Sequence, residues 1–239
     1  MSKLTQMFPP IHNIALFLDF DGTLAPIQDD ASTVRLDDGM DEVLKKLKNA
    51  LGLGPVIISG RDLDDLSARI PQFLHRIGNH GLRSALPGSA TAPKPPPIPH
   101  KLVEMLEEVI YAHPGTFAEY KASVVAVHYR AAPNNRVSLQ RSLSNLPLDG
   151  FQYSLEAGKM IFELKPFNAS KGLALREVMA DYPELKPIMF GDDTTDEAAM
   201  RAAQDLGGLG VKVGKGTSCA NMRLENVAAV NLMLTKWAN

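Results

Sequence analysis

Carboxylates gathered in two short strings are the residues of this sequence best suited to chemistry. Asp19-Phe20-Asp21-Gly22-Thr23 follows the apolar run Ile14–Leu18, and Gly191-Asp192-Asp193-Thr194-Thr195-Asp196 follows Pro187–Phe190. Each string starts where a buried strand would end, which is where open α/β sheets bind their ligands. Two carboxylates on one strand end repel each other and lose hydration, so such a pair persists only with a cation or a shared proton. A divalent ion with oxygen ligands answers that need. Magnesium suits it, since it keeps several waters and takes few protein carboxylates. A turn with exposed aspartates would account for the first string alone, and capping of a helix would use one acid of the second. Three aspartates within five positions exceed what a cap requires, which marks Asp192 as a candidate ligand.

An anionic group received at such a centre also needs donors. Ser59-Gly60-Arg61 ends the apolar run Val56–Ile58, so a hydroxyl and nearby N–H groups can face phosphoryl oxygens. Lys171 follows Ser170 and opens an amphipathic stretch over 171–182. The helix dipole disfavours a lysine at that end, so a functional charge explains it better than a structural one, although most lysines only solvate a surface. Arg61 and Arg130 could each pair with a carboxylate or with a ligand.

These groups need elements to hold them. Ile14–Leu18 reads as a central parallel strand buried on both faces. Met40, Val43, Leu44, Leu47 and Leu51 fall at helical spacing with Gly52 as a stop, and Val56–Ile58 is a second strand. Downstream the pattern resumes with a helix over 171–182, a strand at Pro187–Phe190 and a helix over Thr195–Asp205, closed by Gly207 and Gly208. Strand alternating with helix predicts an α/β fold, a Rossmann-like parallel sheet covered on both sides. The middle differs: 116–130 and 151–165 read as strand pairs, with helices near 101–112 and 136–146. That is an inserted α+β cap, expected over 86–167, with the core formed by 1–85 and 168–239. The segment from Pro87 to Pro99, which holds six prolines, makes its entry a linker or irregular rim.

At 239 residues, 45% hydrophobic, the chain can bury a sizeable core in one large domain or two modest ones. A net charge of -2 supplies no basic surface for nucleic acid. No run approaches the ~20 apolar residues of a membrane span. Cys219 is the single cysteine, which excludes an internal disulfide and a multi-cysteine zinc site and fits a reducing cytoplasm.

The two acidic strings, the strand ending at Ser59 and the single Lys171 together resemble the four motifs of the haloacid dehalogenase superfamily of phosphotransferases. The resemblance extends to the trehalose-6-phosphate phosphatases over nearly the whole chain. It is carried by Ile57-Ile58-Ser59-Gly60-Arg61, Asn79-His80-Gly81, Glu119-Tyr120-Lys121, His128-Tyr129-Arg130, Gly158-Lys159, Glu163-Leu164-Lys165-Pro166, Ser170-Lys171-Gly172 and Gly191 to Glu197. The lysine string departs from the Asn-Lys-Gly of many members, and the Pro-rich stretch resembles nothing in the family.

That resemblance implies Asp19 as the nucleophile, Asp21 as acid and base, and Ser59 and Lys171 as phosphoryl ligands. Mg2+ would be held by Asp19, the Asp21 backbone carbonyl and Asp192, with Gly60, Asp193 and Asp196 in support. Glu119 and Lys121, two apart on one expected strand, share a face, as do Glu163 and Lys165. Either these are solvent-face ion pairs or, as the resemblance implies, Glu119, Lys121 and Glu163 bind sugar hydroxyls, with Arg61 a further substrate ligand. The expected partner is trehalose 6-phosphate, with no nucleic acid and no membrane, and the chain is expected to be a monomer whose cap closes over substrate. Sucrose phosphate or a glycosyl-glycerate phosphate are rival substrates, and a catalytically silent sugar-phosphate sensor is a rival of another class.

Overall fold

The computed structural model describes residues 8–158 and 160–239, and Lys159 of the Gly158-Lys159 string lies outside them. Along the chain the elements run β1 (Ile14–Leu18), α1 (Met40–Ala50), β2 (Leu53–Ile58), α2 (Leu63–Ser67), β3 (His75–Gly78), β4 (Arg83–Ala85), α3 (His100–Tyr111), β5 (Phe117–Lys121) and β6 (Val124–His128). They continue with α4 (Arg136–Ser144), β7 (Tyr153–Gly158), β8 (Ile161–Pro166), α5 (Lys171–Ala180), β9 (Lys186–Gly191), α6 (Glu197–Asp205), β10 (Leu209–Val213), β11 (Met222–Leu224) and α7 (Val227–Trp237). Contacts divide them into two units, the residues up to Ala92 with Ser170–Asn239, and Pro93–Ala169. No helix of the described residues is long and apolar enough to cross a membrane.

The first unit is a seven-stranded sheet in the order β11-β10-β9-β1-β2-β3-β4, with only the β3–β4 pair antiparallel. All five residues of β1 are buried, as a strand covered on both faces requires. Its alternation divides the work. Ile14, Leu16 and Leu18 pack with Leu44 and Leu47 of α1 and Val230 and Leu234 of α7. Ala15 and Phe17 pack with Leu175 and Met179 of α5 and Ala199 and Met200 of α6. Helix α1 stops before Gly52 for a reason other than a left-handed cap: a Cβ there would meet the His12 carbonyl at 2.4 Å.

The boundary between the units lies later than the Pro-rich composition suggests, and two buried arginines account for it. Arg76 of β3 donates to the carbonyls of Leu86 and Ser89, and Arg83 of β4 donates to that of Ala92 at 2.7 Å. Thr91 adds a bond to Asp64. Residues 86–92 are thereby tied to the first unit, and the division falls at Pro93 rather than at residue 86.

The second unit is an antiparallel sheet in the order β5-β6-β8-β7. Val125, Val127, Phe162 and Leu164 face Leu102 and Leu106 of α3 and Leu139 and Leu143 of α4. Period-two alternation sends Phe117, Glu119, Lys121, His128 and Glu163 to the opposite face.

Candidate active site

Asp19 stands one residue beyond the end of β1, its backbone N–H bonded to the Phe190 carbonyl of β9 at 3.0 Å. Lys171, first residue of α5, donates to Asp19 Oδ1 at 2.7 Å and to Asp196 Oδ1 at 2.6 Å. All three side chains are buried. The second oxygen of Asp196 accepts the backbone N–H groups of Asp192 and Asp193, each at 3.0 Å. Both oxygens of Asp196 are thus bonded, and together they tie the acidic turn to Lys171. Lys212 of β10 donates to the Asp192 backbone carbonyl, a tie that an alternating apolar strand does not announce in the sequence.

Asp19, Asp192 and Asp196 each bring a carboxylate oxygen within 4.8 Å of the others. Burial, then Asp196 and Asp192, press the Asp19 carboxyl well above its usual range against the pull of Lys171. Asp192 is pushed up to about 6 by burial and then by Asp196 and Asp193. Burial works against the Lys171 ammonium, yet its two carboxylates drive it above its ordinary value. The cluster therefore carries more negative charge than its lysine neutralises, and a hard divalent cation with oxygen ligands fits that excess. Both oxygens of Asp196 already accept protein donors, so Asp19 and Asp192 offer the freer carboxylate oxygens to a cation.

Glycines let these pieces approach. Gly22 adopts φ +80°, and a Cβ on it would lie 2.3 Å from Asp192 Oδ2. A Cβ on Gly191 would lie 2.3 Å from that of Asp196, and one on Gly172 would lie 2.6 Å from the Ala198 carbonyl, where α5 and α6 meet. Gly60 packs its backbone on the His80 ring, 2.7 Å from a would-be Cβ. His80 and Asn79 hold positive φ values of 56° and 53°, a conformation that non-glycine residues keep only under constraint. The constraint is visible: Asn79 accepts from Leu63 N and donates to Asp62, and His80 N bonds the Ser59 carbonyl at 3.1 Å. The string Asn79–Gly81 buttresses the end of β2.

Ser59 is buried there, its Oγ accepting the Arg61 N–H at 3.1 Å, which leaves the hydroxyl proton to donate elsewhere. Arg61 grips both oxygens of Asp21, Nη2 to Oδ1 at 2.6 Å and Nε to Oδ2 at 2.7 Å. Its remaining bonds go to Asp65 at 2.8 Å and the Ala31 carbonyl at 2.8 Å. Of the two partners open to Arg61 in the sequence, the structure gives it carboxylates. Burial alone would lower this guanidinium, but Asp21 and Asp65 raise it. Asp65 in turn is held down at about 2 by hydrogen bonds from Arg69, with Arg61 adding to the effect.

In the second unit, Glu119 bonds Lys121 at 3.1 Å and His128 Nε2 at 3.0 Å. Glu119 resists the upward push of burial because Lys121 and His128 hold its carboxyl low. Glu163 lies in register with Ala126 on one side and Glu156 on the other. Lys165, its neighbour on the same face, pairs with Glu156 at 2.6 Å.

A parallel sheet whose strand ends deliver Asp19, Ser59 and the Asp192 turn, interrupted by an antiparallel insert, defines a haloacid dehalogenase-like fold. A haloacid dehalogenase-like hydrolase from Bacteroides thetaiotaomicron superposes with a TM-score of 0.68, covering 94% of this chain and 99% of its own at 14% identity. A trehalose-6-phosphate phosphatase related protein superposes with a TM-score of 0.70, covering 94% and 96% at 26% identity. The trehalose-phosphatase family model matches residues 17–228. The trehalose-6-phosphate phosphatase of Escherichia coli (strain K12) is 33% identical over 221 residues, 90% of this chain and 83% of its own. The chain belongs to the trehalose-phosphatase family.

Proposed function

We propose that this chain hydrolyses trehalose 6-phosphate to trehalose and phosphate through a phosphoaspartate on Asp19, with Mg2+. The carrying observation is the buried bridge from Lys171 to Asp19 and Asp196, with an Asp192 oxygen inside the same 4.8 Å cluster, in a chain of this family.

Asp19 attacks phosphorus in line, and the bond to the sugar oxygen breaks as Asp21 gives that oxygen its proton. Asp21 then takes a proton from the water that attacks the phosphoaspartate, releasing phosphate and Asp19. Lys171 and the Ser59 hydroxyl donate to the phosphoryl oxygens, where charge accumulates in the transition state. The carboxylates of Asp19 and Asp192 and the Asp21 backbone carbonyl would hold Mg2+, which would supply neutralising charge to the transferring group when bound. Asp193, Asp196 and Gly60 keep these groups in place. The bidentate pair supports a holding role for Arg61 on Asp21 rather than direct substrate contact, and proton donation requires one of its two bonds to open. Glu119, Lys121 and Glu163 bind sugar hydroxyls and give the insert its selectivity. The enzyme works in a reducing cytoplasm, a reading its single cysteine supports.

The test is phosphate release from trehalose 6-phosphate by the parent and by Asp19→Asn, with Mg2+ and with chelator. Release is expected only from the parent with metal. Activity on glucose 6-phosphate with none on the disaccharide would overturn the substrate, and no release from any sugar phosphate would leave the sensor reading standing.

A further inference from the structure

The open face of the second unit is ordered in rows by its strand register. Phe117, His128, Ile161 and Gly158 lie side by side across β5, β6, β8 and β7, and Glu119, Ala126, Glu163 and Glu156 form the adjacent row. One row is apolar and aromatic, the other acidic. The Phe117 ring lies flat on the His128 imidazole, centroids 4.5 Å apart and planes 6° off parallel, while the side chain remains 57% exposed. His128 cannot turn freely under it, because Nε2 bonds Glu119, which also holds Lys121. Phe117 is on an edge strand, where natural sequences place charge or proline to discourage pairing. A braced, bare aromatic ring in that place calls for an occupant.

The neighbouring charges say which kind. An apolar partner would have to strip water from Glu119 and Lys121 without bonding them, at a cost that opposes docking. A pyranose has the matching mixture: a face of C–H bonds whose slight positive charge favours the negative face of an aromatic ring, and a rim of hydroxyls that donate to carboxylates and accept from ammonium. Two residues along a strand span roughly 7 Å, about the width of one sugar ring, so a ring over Phe117 presents its rim to Glu119 and to the Lys121 ammonium that Glu119 draws within 3.1 Å of itself.

We propose that Phe117 is a sugar platform, a specificity-determining residue against which one glucose ring of the disaccharide rests, with His128 as its brace. This deepens the reading of the chain as a trehalose 6-phosphate phosphatase and rests on it. The experiment is steady-state kinetics on trehalose 6-phosphate and glucose 6-phosphate with the full chain as parent, Phe117→Ala, Phe117→Leu and Phe117→Tyr, alongside calorimetric binding of free trehalose. Loss of the ring in the Ala and Leu variants is expected to raise KM for the disaccharide about tenfold with a smaller change in kcat, and to weaken trehalose binding to match. The ratio of kcat/KM for disaccharide over monosaccharide falls by about the same factor. Phe117→Tyr keeps the ring and restores the ratio, which a purely structural role for bulk would not distinguish from Leu. A parent active on trehalose 6-phosphate whose Leu variant equals it in KM and ratio overturns the platform alone. A parent inactive on trehalose 6-phosphate overturns the substrate reading and the platform with it.

Discussion

Lys171 and Lys121 both pair with carboxylates, under opposite conditions. The Lys171 side chain is 3% exposed and serves Asp19 and Asp196, which come from different strand ends; Lys121 is 38% exposed and serves Glu119, two residues away on the same strand. In the first case charge is removed from water, so each group depends on its partners, and unbalanced acid makes a demand that a cation can meet. In the second, water already screens the pair, and its partners can be exchanged for the hydroxyls of a ligand at little cost. Burial therefore suits the first region to chemistry that must not vary, and exposure suits the second to recognition.

Substitutions in the two regions should differ accordingly. The largest effect is expected for Asp19→Asn, which removes the oxygen proposed to attack phosphorus and should reduce phosphate release from trehalose 6-phosphate by at least about 10⁴-fold. Next comes Lys171→Met, which leaves Asp19 and Asp196 buried without their cation. Chemical denaturation should show a loss of about 3–5 kcal/mol, and kcat should fall at least about 100-fold. Lys121→Met, its counterpart on the insert, should lose no more than about 1 kcal/mol while raising KM for the disaccharide. Equal stability losses for the two lysines would break the comparison.

A smaller effect separates two glycines of similar backbone. Gly22 and Gly39 both have φ +80°, but only Gly22 has Asp192 in the path of a new Cβ, since nothing lies within 4 Å of the one on Gly39. Gly39→Ala should cost about 1 kcal/mol of stability through backbone strain alone. Gly22→Ala adds displacement of Asp192, so the Mg2+ concentration needed for half-maximal thermal stabilisation should rise about tenfold, and Gly39→Ala should leave it near the parent value.

What was legible in the sequence follows the same division between local and distant relations. Asp19 to Thr23 directly follows its strand, so element and chemistry are read together, and the same holds for Gly191 to Asp196. The alternation of Glu119 with Lys121 foretold a shared face because strand period is local. Arg61 and Asp21 are forty residues apart, and their pairing depends on how β1 and β2 lie side by side and where each side chain turns. Lys212 is hidden for a like reason, as its carbonyl partner Asp192 comes from the adjacent strand end. The boundary at Pro93 depends on Arg76 and Arg83 reaching carbonyls of the loop, and composition marks the prolines but not the ties.

The smallest effect concerns Asp65, whose side chain at 40% exposed is as open as that of Lys121, yet it anchors Arg61, which holds Asp21. Its carboxyl is lowered from 3.8 to about 2, first by Arg69 and then by Arg61. A carboxylate with a depressed folded value contributes stability that is fully present above its unfolded value and is lost as pH falls through the folded one. The stability difference between the parent and Asp65→Asn should therefore be constant above about pH 5, shrink from about pH 4 downward and be largely gone near pH 2. Denaturant melts across that range check it. Partial exposure keeps the difference well below that of Lys171→Met. A difference that persists unchanged to pH 2 would mean that Asp65 acts through packing, and that Arg61 is held on Asp21 by the Ala31 carbonyl and Asp21 itself.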